Sequence, residues 1–130
     1  MTTTSEQTKP KKTLRLGISI QGFRNAICVG KDVIHALGNP THICLRINED
    51  YSSLAISPCE PNEVLSFKVP ERIFVDRHVV CRIHSKQFVK GLLSTNGLES
   101  EKTYAIKGSY SPQNNTAVFD FADLVPNDNA

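Results

Sequence analysis

The side chains able to do chemistry in this chain are its lysines and arginines, four cysteines and four histidines. Between residues 68 and 90 the positive residues are Lys68, Arg72, Arg77, Arg82, Lys86 and Lys90. They stand against Glu71 and Asp76, a local net charge of +4. After residue 109 there is no Lys or Arg, while Asp120, Asp123 and Asp128 add negative charge. Such an uneven distribution makes either a basic face for an anionic partner or an ordinary solvated face. Arg15, Arg24 and Lys31 add positive charge earlier in the chain. DNA carries negative charge along its whole backbone, and Lys and Arg release its counterions on contact. Arg15, Arg24, Lys31, Arg77, Arg82 and Lys86 are cations that could supply such contacts. Against this, the whole chain has a net charge of only +2.

Cys28, Cys44, Cys59 and Cys81 are scattered, with no CxxC spacing of a zinc knuckle or redox motif. Cys28, Cys44 and Cys81 sit in apolar runs, where a thiol behaves as a small hydrophobe. The expectation is a reducing, cytoplasmic setting. His42 and Cys44 share a strand face, but two ligands of that kind also occur as ordinary strand residues. A Cys–His nucleophile pair is conceivable from composition alone. No GxSxG, HExxH or phosphate-loop spacing is present. The expectation is a protein that is not an enzyme, with no catalytic residue, metal or cofactor. Aromatic residues for stacking on single strands are few. The apolar runs are too short to span a membrane.

The elements that must position these residues follow from periodicity. Residues 1–12 are polar, Thr- and Lys-rich and aperiodic, which predicts a disordered basic arm and not a secretory signal. Residues 13–124 form one barrel domain, with halves 13–60 and 61–124, and 125–130 form a flexible tail. Residues 14–20 alternate as a strand does. A turn at Gln21-Gly22 leads to a short apolar strand, 26–29. Val33, Ile34 and Leu37 share one helical face, and Gly38 suits the helix end. Residues 41–47 and 53–57 form a hairpin. In the second half, 64–69 reads as a strand and 70–76 as a loop or helical turn. Residues 79–83 follow as a strand. Ser85 is the N-cap of a helix over 86–93 with Phe88, Val89, Leu92 and Leu93 on its apolar stripe. Residues 103–107 and 116–121 form a second hairpin around a turn at 111–115.

The two halves thus have the same order of strand, short strand, short helix and hairpin, a period of the kind internal repeats have. Neither half can cover its own apolar face. Pairing them closes a barrel and buries Ile43, Leu45, Ile47, Tyr104 and Ile106. The fold class is mostly β with short helices (α+β), a single-chain β-barrel of two ββαβ halves. Barrels with this repeat order are of swapped-hairpin or double-psi type.

The segment 29–38, followed by a strand, turn and strand ending near Pro58, resembles the AbrB/MazE/SpoVT transition-state-regulator domain. Val29, Lys31, Asp32, Val33, Leu37 and Gly38 fit that family's run. Gly30 stands where the family has Pro, and Ile34 where it has Arg. Residues 83–93 fit more loosely, with His84 at the proline position. The resemblance implies a tandem, fused version of a barrel that two chains build in the family, and a DNA-binding transcriptional regulator. It places Arg15 and Arg24 where family members carry contact arginines, and Lys31 at the basic residue opening the helix. The expected partner is double-stranded DNA. The alternative is a non-enzymatic protein- or ligand-binding module, antitoxin-like, an inhibitor or a mobile-element accessory factor. A protein partner and a homodimer are further partner expectations.

Overall fold

A computed structural model describes residues 16–126. The expected arm 1–12, Arg15 and the last four residues lie outside the described residues. Nine strands and two helices follow in order: β1 (Leu16–Gln21), β2 (Ala26–Val29), α1 (Lys31–Ala36), β3 (His42–Ile47), β4 (Ser53–Pro58), β5 (Ser66–Lys68), β6 (Cys81–His84), α2 (Lys86–Thr95), β7 (Thr103–Ser111), β8 (Thr116–Asp120) and β9 (Val125–Pro126). The order ββαββ occurs twice before β9. Among the described residues no helix is long and apolar enough to cross a membrane.

The strands form one antiparallel sheet in the order β5-β3-β4-β8-β7-β1-β2-β6, curled into a nearly closed eight-stranded barrel, with β9 added beside β7. Alternation decides the faces. In β1, Leu16, Ile18 and Ile20 are buried and the residues between them are not. Phe119, Leu54, Ile56, Ile106, Ile43 and Ile27 fill the interior with them. Val33 and Ile34 of α1, and Val89, Leu92 and Leu93 of α2, join the same core. Ser85 caps α2 as its sequence predicts, its hydroxyl accepting from the Phe88 amide. Of the residues expected in the core, Ile43, Leu45, Tyr104 and Ile106 are buried and Ile47 half-buried.

The halves pair with each other more than with themselves. Ile18 of β1 faces Ile106 of β7, while Ile43 of β3 faces Phe67 of β5. Leu54 of β4 faces Phe119 of β8, while Ile56 faces Ala117. Ile27 of β2 faces Ile83 of β6, while Cys28 faces Arg82. The hairpin tips follow suit. Asn96, at the end of α2, donates to the Tyr51 carbonyl in the β3–β4 turn at 3.0 Å. Asn115, in the β7–β8 turn, donates to the Leu37 carbonyl at the end of α1 at 3.4 Å.

Strand β7 is longer than the expected 103–107, because it serves two neighbours. Thr103 to Gly108 pair with β1, and Ser109 to Ser111 with β8. Tyr104 and Ala105 also pair with Pro126 and Val125, so the first residues of the expected flexible tail form β9. The barrel lacks one pairing. β1 pairs with β2, but β5 and β6 do not meet and are the two ends of the strand order. Residues 69–80 run between them. Consecutive hydrogen-bonded turns hold this stretch, with Ile73 donating to Pro70 at 3.2 Å and Asp76 to Arg72 at 2.9 Å. Val69 and Ile73 are buried from it into the core.

Gly108 sits where β7 changes partners. A Cβ there would lie 2.3 Å from the Val118 carbonyl oxygen and 2.4 Å from Cδ2 of Phe119. A backbone atom and a fully buried ring cannot step aside. Gly108→Ala is expected to lower stability by about 1–3 kcal/mol, the usual cost of overpacking. Gly17→Ala is the comparison, since its Cβ would meet nothing nearer than the flexible end of Lys107 at 3.4 Å. Urea unfolding of the two variants, with equal destabilisation at both positions, would count against this packing account.

Candidate nucleic-acid interface

The β2–β6 ladder is four pairs long, from Val29↔Cys81 to Ala26↔His84. One more bond, from the Ser85 amide to the Asn25 carbonyl at 2.9 Å, extends it. The five candidate residues that are described all border this ladder. Arg24 ends the 3-10 turn Gly22–Arg24 at one end, exposed, with its guanidinium carbon 5.2 Å from the Phe23 ring centre. Lys86, the first residue of α2, is exposed at the same end. Arg82 is exposed in the middle, opposite Cys28. At the far end Lys31, the first residue of α1, donates to the Asp76 carbonyl at 3.4 Å. That bond brings Arg77, also exposed, to the same end.

Two further cationic or titratable groups on these strands escaped sequence reasoning. Lys107 projects from β7 beside Gly17 of β1. His84 is exposed on β6 opposite Ala26. The signal for Lys107 was present, as the polar position of an alternating strand, but its nearness to β1 depends on a pairing across the two halves. The strands β1, β2, β6 and β7 carry no Asp or Glu. Of the nearby carboxylates, Asp32 accepts from the Val33 amide at 2.8 Å, Asp76 from the His78 amide at 2.9 Å, and Glu99 pairs with Lys102 at 2.9 Å, while Glu101 is exposed in the loop against the Gly22–Arg24 turn. Between the cations the surface is built of small residues. Gly17, Ser19 and Cys28, with Gly30, Lys31 and Val80, line a shallow hollow of about 230 Å³. Small side chains let a sugar-phosphate chain approach the sheet closely.

Gly30, which caps the start of α1, and Ile34, which lies within it, each have a definite structural place. The Gly30 amide donates to the Gly17 carbonyl at 3.1 Å, a bond that proline could not make. Ile34 is fully buried in the core, so its position offers no place for a surface arginine.

The cysteines divide by environment. All four are free thiols. Cys28, expected as a core residue, is half-buried on the outer face, because β2 directs it away from Ile27 and Val29. Cys44 and Cys81 are buried. Burial, and then neighbouring Cys28, push the Cys81 thiol up to about 11. Burial first, and then the neighbouring Cys59 and Glu63, push the Cys44 thiol up to about 11. Among the described residues the nucleophile pair that composition allowed finds no activated thiolate in these two cysteines.

Neither a protein-family model, nor a curated protein, nor a solved structure matches this chain. The fold and the surface thus define it only as a small antiparallel β-barrel with a basic strip along one ladder.

The raised thiols have a consequence for pH. From the ordinary value of 9.0 up to about 11, the unfolded chain has released protons that the folded chain keeps at Cys44 and Cys81. Unfolding then gains as pH rises, so stability is fullest below pH 9 and declines toward pH 11. Urea midpoints measured across that range are expected to fall less steeply in Cys81→Ala than in the parent chain. Parallel curves would refute the assignment. At pH 8, Cys28 and Cys59 are expected to react with a thiol reagent before Cys44 and Cys81.

Proposed function

We propose that this protein is a DNA-binding transcriptional regulator of AbrB type, with two fused halves forming a swapped-hairpin barrel in one chain. The observation that carries the reading is the gathering of Arg24, Lys31, Arg77, Arg82 and Lys86 along the β2–β6 ladder, with Lys107 beside it and no acidic residue on the four strands. In this reading the strip tracks the phosphates, and the small residues Gly17, Ser19 and Cys28 allow the close approach. Arg15 and the Lys-rich arm would add phosphate or minor-groove contacts. The swapped-hairpin part is supported by registers that interchange between the halves and by each hairpin tip docking on the other half's helix end. A double-psi topology has less support, since every strand pairing described is antiparallel. The reading assigns no catalytic residue, and a reducing cytoplasmic setting goes with it.

One observation favours the second reading, a protein-binding module. Beside the unpaired seam between β5 and β6, Leu45, Arg46, Ile47, Tyr51, Leu65 and Phe88 line part of a groove of about 560 Å³. Leu65 itself is 60% exposed, and Val64 beside it in the chain is 88% exposed. Apolar side chains left open beside free strand edges suit an added strand from a protein partner.

With about six phosphates neutralised, duplex affinity is expected to fall roughly 10³-fold between 50 and 200 mM salt. Charge reversal at Arg82 and Lys107 together should weaken binding and reduce the slope of log affinity against log salt by about 0.9 for each phosphate no longer neutralised. Fluorescence anisotropy with a labelled duplex measures both. No duplex binding at 50 mM salt would sink the DNA reading and leave the seam as the place to seek a partner.

A further inference from the structure

On β3 and the connection that follows β4, away from the β2–β6 ladder, three donor groups converge without a role in the DNA reading. The thiol sulfurs of Cys44 and Cys59 and a carboxylate oxygen of Glu63 all lie within 4.8 Å of one another. We propose that Cys44, Cys59 and Glu63 bind a thiophilic divalent cation of the zinc class, which fastens the connection between the two halves onto β3.

The site is built from the ladder outward. Cys44 faces Ser57 of β4, and the Cys59 amide donates to the His42 carbonyl at 3.2 Å, continuing the β3–β4 pairing one step past Pro58. Cys44 and Cys59 therefore project from the same face as diagonal neighbours. Ser66 of β5, on the other side of Cys44, shares that face. It accepts from the Cys59 thiol at 3.5 Å, and the Cys44 thiol points at the Val64 carbonyl at 3.9 Å. Glu63 is held in place from two sides. Its Oε2 accepts from the Glu60 amide at 2.8 Å, and its Oε1 lies 3.9 Å from the Arg46 guanidinium.

Diagonal placement separates this proposal from a disulfide. Diagonal neighbours across an antiparallel pair stand roughly 7–8 Å apart. A disulfide wants Cα atoms no more than about 6.8 Å apart. A tetrahedral metal with metal–sulfur bonds of about 2.3 Å sets two sulfurs nearly 4 Å apart, which diagonal neighbours reach without moving backbone. Thiolate, thiolate and carboxylate are a zinc-type donor set. The fourth position falls to water, because His42, on the same face, is turned to Thr41 with Nδ1 3.1 Å from its hydroxyl. Loading is balanced: the hydrated cation gives up waters, the two thiols give up two protons to buffer, and the carboxylate is already ionised. The complex then carries one negative charge, which Arg46 faces.

The test is calorimetric titration of the reduced full chain with Zn²⁺ in two buffers of different ionisation heat. The expected result is one zinc per chain with release of about two protons per zinc. Cys44→Ser and Cys59→Ser should each weaken binding at least tenfold, while Cys28→Ser and Cys81→Ser leave it unchanged. Cys44 is buried, so the exposed Glu63→Gln supplies a variant that keeps the fold and should also bind more weakly. Binding that survives in Cys59→Ser and Glu63→Gln, or that disappears in Cys81→Ser, overturns the proposal. So does a Cys44–Cys59 crosslink found by mass spectrometry in place of zinc uptake. None of these outcomes depends on whether the chain binds DNA.

Discussion

Strand β7 has to satisfy two neighbours in succession, and the barrel depends on that. Its first six residues hydrogen-bond to β1 and its last three to β8. Through β1 it holds β2 and β6, and through β8 it holds β4, β3 and β5. A strand that turns from one sheet segment to the next must bend. Here the bend falls at Gly108, where the Val118 carbonyl and the Phe119 ring close in on the backbone. The interior that forms around the bend is continuous, with Phe119, Ile106, Leu54 and Ile18 in one cluster. The second half is thus not an appendage of the first. Each supplies the pairing partners that the other lacks.

Much of this was legible in the residues. Alternation in β1, the apolar stripe of α2, its Ser85 cap and the two hairpins all follow from local rules, and the structure has them. The doubled ββαββ order was legible too, because each half repeats the same local signals. What could not be read was set by which neighbours the folded sheet supplies to β7. The extra length of β7 comes from pairing with β8 after β1 ends. The strand at Val125–Pro126 forms because the outer edge of Tyr104 and Ala105 is free to take it. Nothing local in those two residues announces a strand.

The candidate surface was legible in composition and not in geometry. The positive residues from Lys68 to Lys90 form one cluster along the sequence. Folding divides it: Arg77, Arg82 and Lys86 join Arg24 and Lys31 along one ladder, while Lys68 lies on β5 beside Glu71, 3.4 Å away. The apolar spacing around α1 gave the helix its position, and Ile34 within it is spent on the core. The Cys44–Cys59–Glu63 group was invisible for a different reason. Cys59 and Glu63 sit in the connection between halves, where spacing alone carries no sign of a face. Only the register Ile43↔Pro58 brings Cys59 beside Cys44.

The seam between β5 and β6 gives the molecule a mechanical character. All other neighbouring strands in the barrel are fastened by ladders, so pulling them apart costs directional bonds. At the seam Leu45, Leu65, Phe67, Ile83 and Phe88, with Ser85, line a small and mostly apolar hollow. The two strands that border it are consecutive in the chain and joined by residues 69–80, which act as a tether across the mouth. Widening the mouth therefore breaks no strand pairing and lengthens no covalent path beyond that tether. The barrel is built as a split ring, joined by ladders around its circumference and left without one at a single slot.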